Sequence, residues 1–415
     1  MALLHSAVPA AYATEGYWPY GFGTASKAMG GAAVALALDA MAVASNPSAL
    51  VDVGTRFDGA VAVLNPPRGY TIGPGGLFVP HSQSSNDNLF VGPSIAYNRE
   101  VSDRWAAGVA LFGAGLNTNY PASAGNGLGT FLSGKTGIDV RQFFVSPAAA
   151  YRVNQSVSVG IAPIFSMQRG SANGFGAFAP FSDHPGELTN RGTDTAFGAG
   201  ARVGLRLQLL PQVTAGASYQ SRVYMSDFTR YAGLVPNGGN FSAPANAALG
   251  IAYNFSRRDF FTVEVERIFY SNSPALGNSI ENLLAGCAAA GGAGTAGCFG
   301  GSNGPGLGWR NMTVLKLGGQ WAPSEFWALR AGYNIANEQI RPTEIGLNIV
   351  TPAVVRQHIT AGATVSPWPA QDLSLSFSFA PRAQVSGVTP ALFGGHPVTL
   401  TNHQIEAEIG WTYRF

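Results

Sequence analysis

The sequence predicts an all-β transmembrane barrel: fourteen antiparallel strands around an N-terminal, partly helical plug. Three observations carry this. The segment QDLSLSFSFA at 371–380 alternates Leu373, Leu375, Phe377 and Phe379 with Ser374, Ser376 and Ser378, so the strand has one greasy face and one polar face. Only 11% of the 415 residues are charged, while 46% are hydrophobic and 54 are glycine; a soluble domain carries roughly 25% charged residues. Similar segments recur along the chain, and their connections alternate between short and long, as the two rims of an outer-membrane barrel do.

Taken in order, the alternating segments are 55–64, 88–100, 104–117, 139–153, 156–169, 193–209, 212–226, 242–255, 259–272, 309–322, 325–337, 351–365, 371–381 and 401–415. An even number allows closure without a free edge, which hydrocarbon requires. Short connections fall at 101–103, 154–155, 210–211, 256–258, 323–324 and 366–370, and long ones at 118–138, 170–192, 227–241 and 273–308. Trp105, Tyr151, Tyr253, Phe255, Phe260, Trp321, Phe326, Trp327, Trp368, Trp411 and Tyr413 lie near strand ends, the height of an interfacial girdle. Glu264 and Glu266 share a strand face, as do Glu406 and Glu408; both pairs are expected to face a polar lumen and to meet Lys316 or arginines.

The first fifty residues do not alternate. Residues 26–43 are rich in Ala and Gly and read as helix. The apolar window 28–45 is interrupted by Asp39 and falls short of the roughly 20 apolar residues of a span, so an internal helix is expected. A ring this wide cannot be filled by its own side chains. Residues 14–52 are therefore read as the plug and 53–415 as the wall. Ala11-Tyr12-Ala13 has the form of a signal-peptidase site, and residues 1–13 are read as the remnant of a signal peptide. Cys287 and Cys298 flank a Gly/Ala-rich loop with no partner His, which argues against a metal and for a disulfide in an oxidising compartment. The net charge of +2, without a long basic run, leaves no nucleic-acid footprint.

Residues 20–50, YGFGTASKAMGGAAVALALDAMAVASNPSAL, begin with GxG, carry a GG pair and end in Asn46-Pro47-Ser48. This run resembles the hatch of the FadL-type outer-membrane transporters, whose hatch usually reads Asn-Pro-Ala. Tyr151-Arg152-Val153, Leu317-Gly318-Gly319 and the run VVRQHITAGATVSPWPAQDLSLSF are also similar to family segments, so the likeness covers essentially the whole chain. The resemblance implies a monomer in the bacterial outer membrane that takes up hydrophobic molecules passively, long-chain fatty acids or aromatic hydrocarbons, with no cofactor. It implies a hatch gate at Asn46, Pro47 and Ser48. It also implies a kink in the third strand, placed here at Gly113-Ala114-Gly115, through which substrate leaves sideways into the membrane. Lipid and lipopolysaccharide would surround the barrel, and the strand ending in Phe415 would be read by the barrel-assembly machinery.

Capture is expected on the long loops, where Phe175, Phe178 and Phe181 read as exposed aromatics. Family members that carry carboxylates hold them with basic residues; Arg310 is the one match, which tilts the reading towards neutral hydrocarbons. The alternative reading is a general porin or structural barrel with a closed hatch. The literal P-loop pattern at 129–136 leads into a strand rather than a helix and is discarded. No HExxH or GxSxG occurs, and an enzyme is not expected.

Overall fold

A computed structural model describes residues 15–124, 127–292 and 294–415. The expected signal-peptide remnant, 1–13, lies outside the described residues. Fourteen strands form the wall: β1 Arg56–Asn65, β2 Phe90–Ser102, β3 Trp105–Asn117, β4 Gly137–Asn154, β5 Val157–Asn173, β6 Asp194–Leu210, β7 Val213–Gln220, β8 Asn246–Asn254, β9 Phe260–Ile268, β10 Met312–Ser324, β11 Trp327–Ala336, β12 Gln357–Trp368, β13 Gln371–Val388 and β14 Pro397–Arg414. Each pairs antiparallel with its chain neighbours, and β1 closes the ring by pairing with β14 from Arg56↔Arg414 to Asn65↔Ile405. A hairpin, Arg68–Ile72 with His81–Ser84, extends the β14 edge through Val398↔Ile72. No helix among the described residues is long and apolar enough to cross a membrane.

The alternation resolves as a lipid face and a luminal face. On β13, Leu375 and Phe377 are exposed while Ser376 and Ser378 are buried. On β14, Ile405 and Ile409 point out while Glu406 and Glu408 point in. Trp105, Tyr253, Phe255, Trp321, Phe326, Trp327, Trp368 and Trp411 are exposed on the short-turn rim, where an amphipathic ring suits the membrane interface. Phe260 departs from the expected girdle: it packs inward with Met29 and Leu36.

The lumen is occupied by residues 15–55, and here the helix expected over 26–43 is not formed. Helices cover only Thr24–Lys27 and Ala42–Ser45, with a 3₁₀ turn over Pro47–Asp52. Gly30 and Gly31 adopt φ of +66° and +87°, which a side chain tolerates poorly. A Cβ on Gly31 would sit 1.7 Å from the Tyr20 carbonyl oxygen, so the chain folds back on itself where a helix would have continued.

Charge anchors this segment. Lys27 Nζ lies 2.8 Å from Glu406 Oε1 and 2.6 Å from Glu408 Oε2, all three side chains buried. The expected partners of this carboxylate pair, Lys316 or arginines, are replaced by a lysine of the plug itself. Lys316 instead sits 2.6 Å from Glu266 and near Glu264 and Glu15, and donates to the Tyr20 carbonyl at 2.8 Å. Removing one partner of a buried pair is strongly destabilising because the other charge remains desolvated. Lys27→Met is expected to weaken docking of residues 15–55 by about 3–5 kcal/mol. The check is proteolysis of the purified protein: the N-terminal segment becomes cleavable while heat-modifiable gel migration still reports a closed barrel.

Candidate functional site: plug, wall seam and apolar cavity

Asn46 is fully buried and joins three parts of the molecule. Its Nδ2 donates to the carbonyls of Val34 at 2.6 Å and Leu205 at 3.1 Å. Its Oδ1 accepts from Ser48 N at 3.2 Å and Ser48 Oγ at 2.6 Å, capping the 3₁₀ turn that Pro47 opens. One amide thus ties two segments of the plug to each other and to β6. The wall approaches closely enough that a Cβ on Gly204 would lie 2.0 Å from Asn46 Oδ1. Below this, Asp52 bridges Arg152, at 2.8 Å, and Arg206.

The wall is incompletely laddered next to β3. Strand β3 pairs with β4 along its whole length, Trp105↔Tyr151 to Asn117↔Asp139. Its pairing with β2 ends at Ile95↔Leu111. Residues 90–94 remain paired with β1, and 112–117 with β4, leaving a seam between them. Gly113, Ala114 and Gly115 lie on this seam. The lipid/lumen alternation lapses there, since Ala114, Gly115 and Leu116 are all buried. Gly113 shares a cavity of about 30 Å³ with Phe22, Pro93 and Phe112, and Gly115 one of about 40 Å³ with Phe90 and Arg68. A Cβ on Gly113 would meet only the Gln142 carbonyl, at 3.3 Å, so close packing does not demand glycine at that position. At the long-loop end, Arg68 closes the seam by donating to the Asn117 carbonyl at 2.9 and 2.6 Å, with its guanidinium 5.1 Å from the Phe90 ring centre.

Phe175, Phe178 and Phe181 do not form an exposed patch. Phe175 is 3% and Phe178 4% exposed, and Phe181 is half-buried. Phe178 contacts Phe131, Phe299 and Phe393 with ring centres 5.2–5.5 Å apart, so other loops converge on this one and bury it. Beneath the loops lies a cavity of about 90 Å³, lined by Val140, Phe175, Phe228, Phe241, Phe299 and Leu347 among others, with no charged side chain in its wall. The Tyr231 hydroxyl at its edge is already donated to the Gly192 carbonyl at 2.5 Å. Cys287 and Cys298 form a disulfide that closes the loop carrying Phe299.

Arg310 is not brought to this cavity. It is exposed, and its Nε donates to the Glu338 carbonyl. Burial in that loop pushes the Glu338 carboxyl up to about 7. At the short-turn end a separate polar chamber of about 280 Å³ is lined by Asp39, Arg56, Asp58, Arg330 and Asp372 among others. Sequence reasoning found the luminal carboxylates but missed Arg68 and Lys27, whose partners are distant in the chain.

The model of the family described as outer membrane protein transport protein (OMPP1/FadL/TodX) matches residues 19–390. The chain belongs to this family. It is therefore a transport protein of the bacterial outer membrane. The fold is similar to the crystal structure of the P. putida toluene transporter TodX, with a TM-score of 0.69 and 18% identity over 95% of this chain and 99% of that one. It is likewise similar to the Ralstonia pickettii toluene transporter TbuX, at 0.65 and 20% over 95% and 99%, and to a Pseudomonas aeruginosa FadL homologue, at 0.70 and 15% over 96% and 100%. A sequence comparison with curated proteins found no match.

Two outcomes follow from this geometry. Gly204→Val is expected to push Asn46 off the wall, raising ion leakage through single barrels in a planar bilayer severalfold over wild type. Cys287→Ser with Cys298→Ser is expected to release the 287–298 loop, read as new proteolytic cuts within it while the barrel stays closed.

Proposed function

We propose that the protein takes up neutral hydrophobic molecules passively, working as a monomer with residues 14–52 as hatch and 53–415 as barrel. The seam beside β3 carries this reading, because it is the place where the wall gives up its ladder and the plug meets it with Pro19, Phe22 and Met41 beside Lys27. Substrate enters the apolar cavity beneath the long loops, near Phe175. The hatch at Asn46, Pro47 and Ser48 holds the lumen shut against polar solutes. The molecule leaves at Gly113–Gly115 into the hydrocarbon of the membrane.

The energetics favour this exit. Passing from an apolar pocket to hydrocarbon loses little, whereas release into periplasmic water costs about 0.8 kcal/mol per CH₂. A cavity wall without charge and an Arg310 committed elsewhere favour a neutral ligand over a carboxylate. TodX and TbuX, which share the fold, are toluene transporters, which points the same way. The polar-solute porin reading is weaker, because the polar chamber at the short-turn end stops at buried plug residues. The exposed Phe415 at the end of β14 fits recognition by the assembly machinery, and the greasy outer face fits lipid and lipopolysaccharide.

The test is uptake by cells lacking their own transporter of this class, offered a labelled alkylbenzene beside a long-chain fatty acid. Wild type is expected to take up the alkylbenzene preferentially, and Asn46→Ala to lower that uptake. No uptake of either label, with the barrel folded in the outer membrane, would overturn the reading.

A further inference from the structure

A file of six aromatic rings connects the apolar cavity to the seam. It begins at Phe241, which lines the cavity. Phe241 is 6.1 Å from Tyr17, Tyr17 is 5.5 Å from Trp18, and Trp18 is 5.3 Å from Phe144, measured between ring centres. Phe144 is 5.0 Å from Phe112, and Phe112 is 5.0 Å from Phe22. Phe22 and Phe112 line the seam cavity. The rings come from three places: Phe241 from the loop between β7 and β8, Tyr17, Trp18 and Phe22 from the plug, and Phe112 and Phe144 from the inward faces of β3 and β4.

Much of the plug–wall contact is charged. Lys27 lies between Glu406 and Glu408, and Lys316 among Glu15, Glu264 and Glu266. An apolar solute crossing there would strip buried ion pairs of their partners, whereas from Phe241 to Phe112 along the ring file it exchanges one apolar contact for another and meets charge, Lys27 and Glu408, only in the wall of the seam cavity. The file is shut as it stands, since Trp18 is 2% and Phe144 0% exposed and the rings touch.

The members are tethered unequally. Tyr17 is fixed by its backbone N–H, which donates to Tyr270 Oη at 2.9 Å, and by its hydroxyl, which donates to Gln142 and accepts from Gln168 at 3.2 Å. The larger ring of Trp18 is held by one long bond, Nε1 to the Pro244 carbonyl at 3.3 Å. The phenylalanines of the file make no side-chain hydrogen bond, so size is what singles out Trp18: it is the largest ring and stands mid-file between Tyr17 and Phe144.

We propose that this ring file is the lane along which substrate moves from cavity to seam, and that Trp18, closing against Phe144, is its gate and sets the size of aromatic solute that passes. The inference rests on the lateral-exit reading above and adds the route and its selecting residue. A gate of this kind acts on size: shortening it admits a larger ring system more than it helps a small one.

The experiment compares wild type, Trp18→Ala and Trp18→Phe in transporter-deficient cells, each variant confirmed as a closed barrel by heat-modifiable migration. The probes are labelled toluene, labelled naphthalene and a small polar dye. Trp18→Ala is expected to raise the naphthalene-to-toluene uptake ratio severalfold, with Trp18→Phe in between and dye entry unchanged. An unchanged ratio, or equal loss of both hydrocarbons, overturns the gate. If Trp18→Ala fails to fold, Trp18→Phe decides by the same ratio. Wild type that takes up neither hydrocarbon would overturn the underlying uptake reading instead.

Discussion

A backbone amide or carbonyl in hydrocarbon has no water to fall back on, and the rest of this structure depends on that constraint. Each unmatched group costs several kcal/mol, which is why spanning sheets close into rings. Here closure is complete at β1 and β14, yet the ladder between β2 and β3 stops at Ile95↔Leu111. The interruption is supported from within. Pro93 brings no N–H to the open edge, Phe22 and Phe112 fill the space beside it, and Arg68 satisfies the Asn117 carbonyl at its upper end. The plug is therefore part of what makes a gap in the wall tolerable, and plug and wall cannot be considered apart.

The plug is held by polarity and kept close by absence of side chains. Glu264 accepts from the backbone N–H groups of Ala33 and Val34 at 2.8 Å each, Asp58 from that of Ala40 at 2.8 Å, and Asn98 donates to the Leu50 carbonyl at 3.0 Å. Irregular backbone inside a barrel needs such partners as strictly as a strand does. These bonds are directional, and they fix where the plug sits. On the side of Trp18, Phe144 and Phe112 the plug meets the wall mainly through ring packing.

Much of the wall was legible because period-two alternation is a local signal. Leu373 to Phe379 needs no knowledge of distant partners to declare two faces, and the same holds for Glu406 and Glu408. What failed was mostly detail set by contacts between segments far apart in the chain, although closure of the first strand on the last was anticipated. The composition of 26–43 favours helix, but positive φ at Gly30 and Gly31 turns the chain, a choice made by the lumen's shape. Phe178 reads as an exposed loop residue because Phe131, Phe299 and Phe393, which bury it, come from other loops. Lys27 carried no sign of its partners on the last strand. The third strand was singled out by the family resemblance and the position in it by glycines, whereas the structure shows the seam as a change of pairing partner, which no single strand can display.

The distribution of polarity along the lumen argues for the direction of travel. At the long-loop end the cavity wall is apolar, and at the short-turn end Asp39, Arg56, Asp58 and Arg330 surround a polar chamber. A hydrocarbon moving straight through would leave its apolar contacts for that chamber and then for water, losing about 25 cal/mol per Å² of apolar surface exposed. On the proposed lateral route the solute would turn aside at β3 past Phe22 and Phe112, brushing Lys27 and Glu408 but avoiding the polar chamber. On that proposal no energy source is needed, because a hydrophobic solute diluted in water outside already prefers the membrane interior. The barrel has only to carry it past the polar outer surface. The same gradient resists polar solutes, which would gain nothing in the upper cavity and would meet the Lys27 and Lys316 clusters before reaching the lower one. Selectivity of this kind needs no tight binding site, and a small, uncharged cavity followed by a file of rings is consistent with passage favoured over retention.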